Sequence, residues 1–152
     1  MNITRRKLLG ASASAAVAAF FGTAAGRAFA TVEDVEKAIA EFGGGTAPEE
    51  GGPLALTTPE IAENGNSVPI SFSVDSPMSA DDHVESVMIL AAENPSAGVA
   101  TFHFTPASGA AKASTRMRLA KTQDVVAVAK TSTGELYRVA NEVKVTIGGC
   151  GG

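Results

Sequence analysis

The chain has 152 residues, of which 45% are hydrophobic, 18% charged and 5% aromatic, with no Trp. That length suits one hydrophobic core rather than a multidomain enzyme, and the apolar share excludes wholesale disorder. The net charge of −4 hides two unlike regions: four of the 12 basic residues lie within residues 1–30, which hold no acid, so in the remainder 16 acids outnumber the bases two to one, a balance that argues against phosphate binding and hence against nucleic acid.

Residues 1–30 read as an export address. Arg5, Arg6 and Lys7 precede a short stretch rich in Ala, Gly and Ser, and Ala28-Phe29-Ala30 offers small residues at both positions of a cleavage site. The paired Arg5 and Arg6 point to the twin-arginine route. The stretch is weakly apolar and marginal in length for a membrane anchor, so cleavage is expected over anchoring, and no second apolar run long enough to span a bilayer follows. The mature protein is therefore expected in the periplasm. That route exports proteins already folded, often with a bound partner.

Thr31 to Phe42 is predicted as a helix. Val32, Val35, Ile39 and Phe42 recur at three- and four-residue steps. Thr31 can cap its start, Glu33 and Asp34 suit the positive end of the helix dipole, and Gly43-Gly44-Gly45 ends it. Ala47 to Pro53 reads as a loop.

From Leu54 onward the apolar period falls from helical to two. Leu54–Thr57 is a short strand. Val68, Ile70, Phe72 and Val74 alternate with polar residues, and Pro69 predicts an edge strand. After a turn at Asp75–Asp82, His83–Leu90 reads as a second long strand, apolar on both faces at Val87–Leu90 and hence central. Ala100, Phe102 and Phe104 alternate next, then Ala113, Thr115, Met117 and Leu119 oppose Lys112, Ser114, Arg116 and Arg118. Val125–Ala129 and Leu136–Ile147 close the series. About seven short strands without interior helices predict an all-β fold, an immunoglobulin-like β-sandwich with a short N-terminal helix, spanning residues 31–147.

Residues 148–152 read Gly148-Gly149-Cys150-Gly151-Gly152, predicted to form a flexible C-terminal arm. Cys150 is the only cysteine in the chain, which excludes an intramolecular disulfide and a four-thiolate zinc site. Four flanking glycines cannot bury it. Nothing on such an arm can supply a base or an oxyanion shell, so no catalytic residue is assigned. No adjacent cation lowers the thiol, which is expected near the free value of about 8.5. The bare backbone suits narrow channels in other proteins. The pattern points to Cys150 as a covalent attachment point that carries a group between other active sites, with Gly148, Gly149, Gly151 and Gly152 giving flexibility and access. No metal or cofactor is expected to be bound by this chain itself.

The terminal Gly148-Gly149-Cys150-Gly151-Gly152 resembles the ending of the SoxY family, sulfur carriers of periplasmic thiosulfate oxidation. Pro77-Met78, Asn94-Pro95, Phe102-His103-Phe104, Thr115 to Ala120 and Thr122-Gln123 carry the same resemblance. It implies a heterodimer with a smaller SoxZ-like β-sandwich subunit. It further implies that a haem c enzyme loads thiosulfate on Cys150, that a dimanganese hydrolase removes sulfate, and that a molybdenum and haem dehydrogenase can oxidise the remaining sulfane sulfur.

Three other readings fit worse. A ubiquitin-like carrier would use the carboxylate of Gly152, but such domains are cytosolic β-grasp folds. A blue-copper site would need His83, His103 and Cys150 close together with a Met, and the chain ends before any downstream ligand. A non-catalytic exported interaction module would leave Cys150 incidental. The basic strip Lys112, Arg116 and Arg118 reads as a solvated strand face.

Overall fold

A computed structural model describes residues 29–149, which form one α-helix, a 3-10 turn at Pro106–Ser108 and nine strands in three layers. Arg5, Arg6 and Ala28 of the expected signal lie outside the described residues, as do Cys150, Gly151 and Gly152.

Helix α1 spans Val32–Gly43. Its start is a reciprocal cap. Thr31 Oγ1 accepts the Asp34 N–H at 3.3 Å, and Asp34 Oδ2 accepts the Thr31 N–H at 2.9 Å, so donors that the helix cannot use are satisfied locally. Gly44 ends the helix at φ 62, in the left-handed region that glycine enters without steric cost. Val35 and Ile39 are buried, as the stripe predicts, and Phe42 is half-buried. Val32 departs from the expectation and is 60% exposed, because the patch beneath the helix is covered by Val35, Ile39, Ala30 and Ala38.

Beneath the helix lies the larger sheet. Its order is β1 (Glu49–Glu50), β9 (Leu136–Val145), β8 (Gln123–Thr131), β5 (Val84–Ala91) and β6 (Gly98–His103), with β3 (Ile61–Ala62) also paired to β9. The second sheet packs on its other face, in the order β2 (Leu54–Thr57), β4 (Val68–Val74), β7 (Ala111–Met117). The chain crosses between sheets from β4 to β5, from β6 to β7 and from β7 to β8, the pattern of an immunoglobulin-like sandwich.

Strands β5 and β8 are covered on both sides, which explains their near-continuous apolar runs. Val125, Ala127 and Ala129 face the second sheet, while Val126 and Val128 meet Val35 and Ile39 of the helix. Between the sheets, the Phe72 ring meets Phe102 edge-on at 5.1 Å and Phe104 at 6.2 Å.

Seven of these strands are those expected from the alternating pattern. Glu49–Glu50 and Ile61–Ala62 add parallel pairings to β9 that two residues are too few to announce. Pro69 does not mark an edge: β4 lies between β2 and β7. The proline is tolerated because β2 ends at Thr57, opposite Ser71, so at Pro69 the strand has a neighbour on one side only. Thr115 is exposed rather than inward, since β7 is the edge of its sheet. The last strand stops at Val145, not Ile147.

Candidate functional site

Strand β9 delivers the chain to the end of the sandwich where the described residues stop, at Gly149. It first runs parallel to β3, with Ile61 opposite Lys144 and Ala62 opposite Val145. Lys144 N–H donates to the Glu60 carbonyl and Thr146 N–H to the Ala62 carbonyl, each at 3.0 Å. Beyond Val145 the pairing continues without a regular strand. Gly65 N–H donates to the Ile147 carbonyl at 2.7 Å, and Gly149 N–H donates to the Leu119 carbonyl at 2.9 Å. Leu119 N–H donates in turn to the Gly65 carbonyl at 2.8 Å. Three backbone segments therefore meet at one point, with buried Gly65 between the other two.

Side chains are absent where these segments touch. A Cβ on Gly148 would overlap the Ala120 carbonyl oxygen, and one on Gly149 would overlap the Gly65 carbonyl. One on Gly65 would strike the Leu119 oxygen and stand 2.9 Å from the Gly149 nitrogen. The expected arm residues Gly148 and Gly149 thus lie against the sandwich, Gly149 with its N–H bonded to Leu119. The same missing side chains that permit flexibility also permit backbones to approach to hydrogen-bonding distance, and here the second property prevails.

The loop that receives Gly149 is itself fixed. Leu119 is fully buried. Buried Asn94 donates from Nδ2 to the Arg118 carbonyl at 2.8 Å, while its Oδ1 accepts the Ala120 N–H at 2.9 Å and Gln123 Nε2 at 3.0 Å. Gln123 Oε1 accepts the Glu93 N–H at 2.8 Å, and Thr122 Oγ1 accepts the Val145 N–H at 2.9 Å. Lys121 pairs with Glu93 and lies over the Phe29 ring at 5.5 Å. Arg116 Nη1 reaches Ser67 Oγ at 3.2 Å. It is thus tied to the loop beside Gly65 rather than being only a solvated strand residue.

Of the predicted site residues, Gly148 and Gly149 are placed here, while Cys150, Gly151 and Gly152 lie outside the described residues. Ala30 of the expected cleavage site is half-buried and donates its N–H to the Asn94 carbonyl at 2.8 Å; Arg5, Arg6 and Ala28 are outside the description. His83 and His103 are near the start of β9, at the opposite end from the arm: His83 N–H bonds Ser132 Oγ at 3.1 Å, and His103 lies opposite Ser86. The length of β9 puts about 30 Å between the two ends. Among the described residues, no group of three or more His, Cys, Asp or Glu is placed to hold a metal ion.

Strand periodicity gives no role to Gly65, Asn94 or Gln123. Two of the three could be found from the sequence, since Asn94 and Gln123 stand in stretches that carry the family resemblance. Gly65 could not, because Asn64-Gly65-Asn66 looks like any polar turn.

The family model described as "Sulfur oxidation protein SoxY" matches residues 38–150, ending on Cys150. The solved structure of the sulfur carrier protein SoxY from Chlorobium limicola f thiosulfatophilum is 36% identical, with a TM-score of 0.64 over 77% of this chain and 100% of that one. A superoxide reductase (neelaredoxin) variant from Ignicoccus hospitalis superposes with a TM-score of 0.56 over 81% of this chain and 98% of its own, at 17% identity. That second likeness is one of fold alone. No curated protein matches the chain.

Proposed function

The chain belongs to the SoxY family, and from that premise we propose that Cys150 is the atom-bearing residue of a sulfur carrier in thiosulfate oxidation. Its role as a carrier rather than an enzyme follows from the family. The identity of the cargo and its handling are our reading. The observation that carries it is positional: the only thiol of the chain follows Gly149, the last described residue, whose N–H bonds the Leu119 carbonyl of the sandwich.

The chemistry is that of a thiolate meeting a sulfur nucleophile under oxidation. The Cys150 thiolate and thiosulfate lose two electrons together to form a sulfur–sulfur bond, giving a cysteine S-thiosulfonate; a haem c enzyme accepts the electrons. Water then attacks the terminal sulfone at a dimanganese hydrolase. The bond from the sulfane to the sulfone sulfur breaks, and sulfate and two protons leave a persulfide on Cys150. A molybdenum and haem dehydrogenase is the candidate for oxidising that sulfur further. All metals in this scheme belong to partners. This chain supplies the thiol and a body that each enzyme must recognise. The enzymes approach the arm's end of the sandwich, where Ile61 and Ile147 are 60% and 64% exposed. A SoxZ-like subunit joins the chain as a heterodimer, and Arg5-Arg6 with the Ala28-Phe29-Ala30 site supports twin-arginine export to the periplasm.

Deleting Gly152 separates a thiol carrier from one that uses its C-terminal carboxylate. Sulfate formation from thiosulfate in a reconstituted mixture should fall only modestly in the shortened protein, within about threefold, since the nucleophile is retained. Complete loss in the deletion, with activity surviving blockage of the thiol, would point to the carboxylate.

A further inference from the structure

We infer that Gly65 is a positioning residue for Cys150: together with the Leu119 carbonyl it forms a backbone clamp that fixes the root of the carrier arm against the sandwich. The inference rests on the reading of Cys150 as the carrier residue, but its geometry is independent of sulfur chemistry.

The hydrogen bonds form a continuous relay. The Ile147 carbonyl accepts from Gly65, the Gly65 carbonyl accepts from Leu119, and the Leu119 carbonyl accepts from Gly149, at 2.7, 2.8 and 2.9 Å. Gly65 is the middle member, so it holds the chain before Gly148 directly and the chain after it through Leu119. Both anchors are rigid. The Gly65 loop follows β3 and leads into β4, and its Asn64 Oδ1 accepts the Asn66 N–H at 2.9 Å. The Leu119 segment is held by a buried side chain and by Asn94. A site borne on fixed elements presents its reactive group more reproducibly than one on a free chain.

The clamp sets how far the thiol can travel. With Gly149 held, Cys150 stands one residue, about 3.5 Å of chain, from a fixed point. With the clamp open, five residues separate it from the end of β9, about 17 Å at full stretch. With the clamp closed, Gly149 is held against Leu119, and Gly65 lies between the two segments. A released arm can enter a deep channel. Glycine at all three contact positions lets one segment occupy both states.

Two measurements on the full chain test this. In amide exchange read by NMR, the Gly65 and Gly149 N–H groups should exchange at least about tenfold more slowly than that of Gly151. Gly149→Ala should abolish the protection of the amide at position 149 while amides of β5 and β8 are unchanged; Gly65→Ala should do the same, and the Gly149 variant serves should Gly65→Ala fail to fold. In the second measurement, Cys150 is alkylated with a small iodoacetamide and with a bulky maleimide. Opening the clamp should raise the bulky-to-small rate ratio severalfold in either variant, a change that altered intrinsic thiol reactivity would not produce. Exchange at Gly149 as fast as at Gly151, or an unaltered reagent ratio in Gly149→Ala, would overturn the clamp. Neither readout depends on thiosulfate, so a failure to load cargo would leave the clamp standing and the reverse also holds.

Discussion

Cys150→Ser should reduce sulfate formation from thiosulfate by at least about a thousandfold, to the level seen without the protein. Serine keeps the size of the side chain and removes the nucleophile. A hydroxyl is not ionised at neutral pH and forms no stable sulfur–sulfur linkage, so neither loading nor persulfide formation can proceed. No other residue can substitute, because the chain has no second cysteine. The loss should come without damage to the fold. The buried core holds no cysteine, and neither do the clamp residues Gly65, Leu119 and Gly149. The urea midpoint of the variant should therefore match the parent. Turnover persisting in Cys150→Ser would remove the basis for a covalent carrier.

Asn94→Ala should destabilise the sandwich by about 3 kcal/mol, read as a lower urea midpoint with an unchanged slope. The residue is 8% exposed, and its side chain satisfies three groups at once: the Arg118 carbonyl, the Ala120 N–H and the Gln123 amide. Alanine leaves the first two without their side-chain partner, and each stranded group in a partly buried setting costs about 1–3 kcal/mol. Gln123 keeps its bond to the Lys121 carbonyl at 3.1 Å, so the loss is not threefold. Asn141 is a fair comparison, since its Nδ2 donates to the Leu56 carbonyl at 2.9 Å; Asn141→Ala should cost about 1 kcal/mol. Because Asn94 also holds the loop that receives Gly149, its loss should speed exchange at the arm's root. A change no larger than that of Asn141→Ala would mean that the loop is held by Leu119 alone.

These two residues differ in how they could be found. Cys150 is conspicuous, being the only thiol in a run of glycines. Asn94 beside Pro95 looks like a turn marker, and its buried role appears only when segments distant in sequence converge. The helix was legible almost to the residue, because capping by Thr31 and Asp34 and the Val35–Ile39 stripe are local signals. The seven main strands were legible because a half-buried strand writes its own alternation. What escaped depends on neighbours. The pairing of Glu49–Glu50 and Ile61–Ala62 with β9 has no period to betray it, and the place of Pro69 depends on where β2 ends. The glycines at 148 and 149 show the same limit. Composition says that they can move, and only the proximity of Gly65 and Ala120 says that they are held.

The division of labour follows from this architecture. The helix and the two sheets bury their apolar faces in one another, and among the described residues no group of three or more His, Cys, Asp or Glu is placed to hold a metal ion. Their contribution is to hold the Leu119 and Gly65 segments still, at the end of the molecule where the thiol-bearing tail begins. The two histidines lie at the far end, by the start of β9.

Mass analysis of the C-terminal peptide after the protein meets thiosulfate and a haem c oxidising enzyme decides whether Cys150 carries sulfur. The peptide containing Cys150 should gain one thiosulfate unit, and after hydrolysis it should retain a single extra sulfur, with every other peptide unmodified. Sulfate appearing while that peptide stays unmodified throughout, or the adduct residing on another residue, would contradict it.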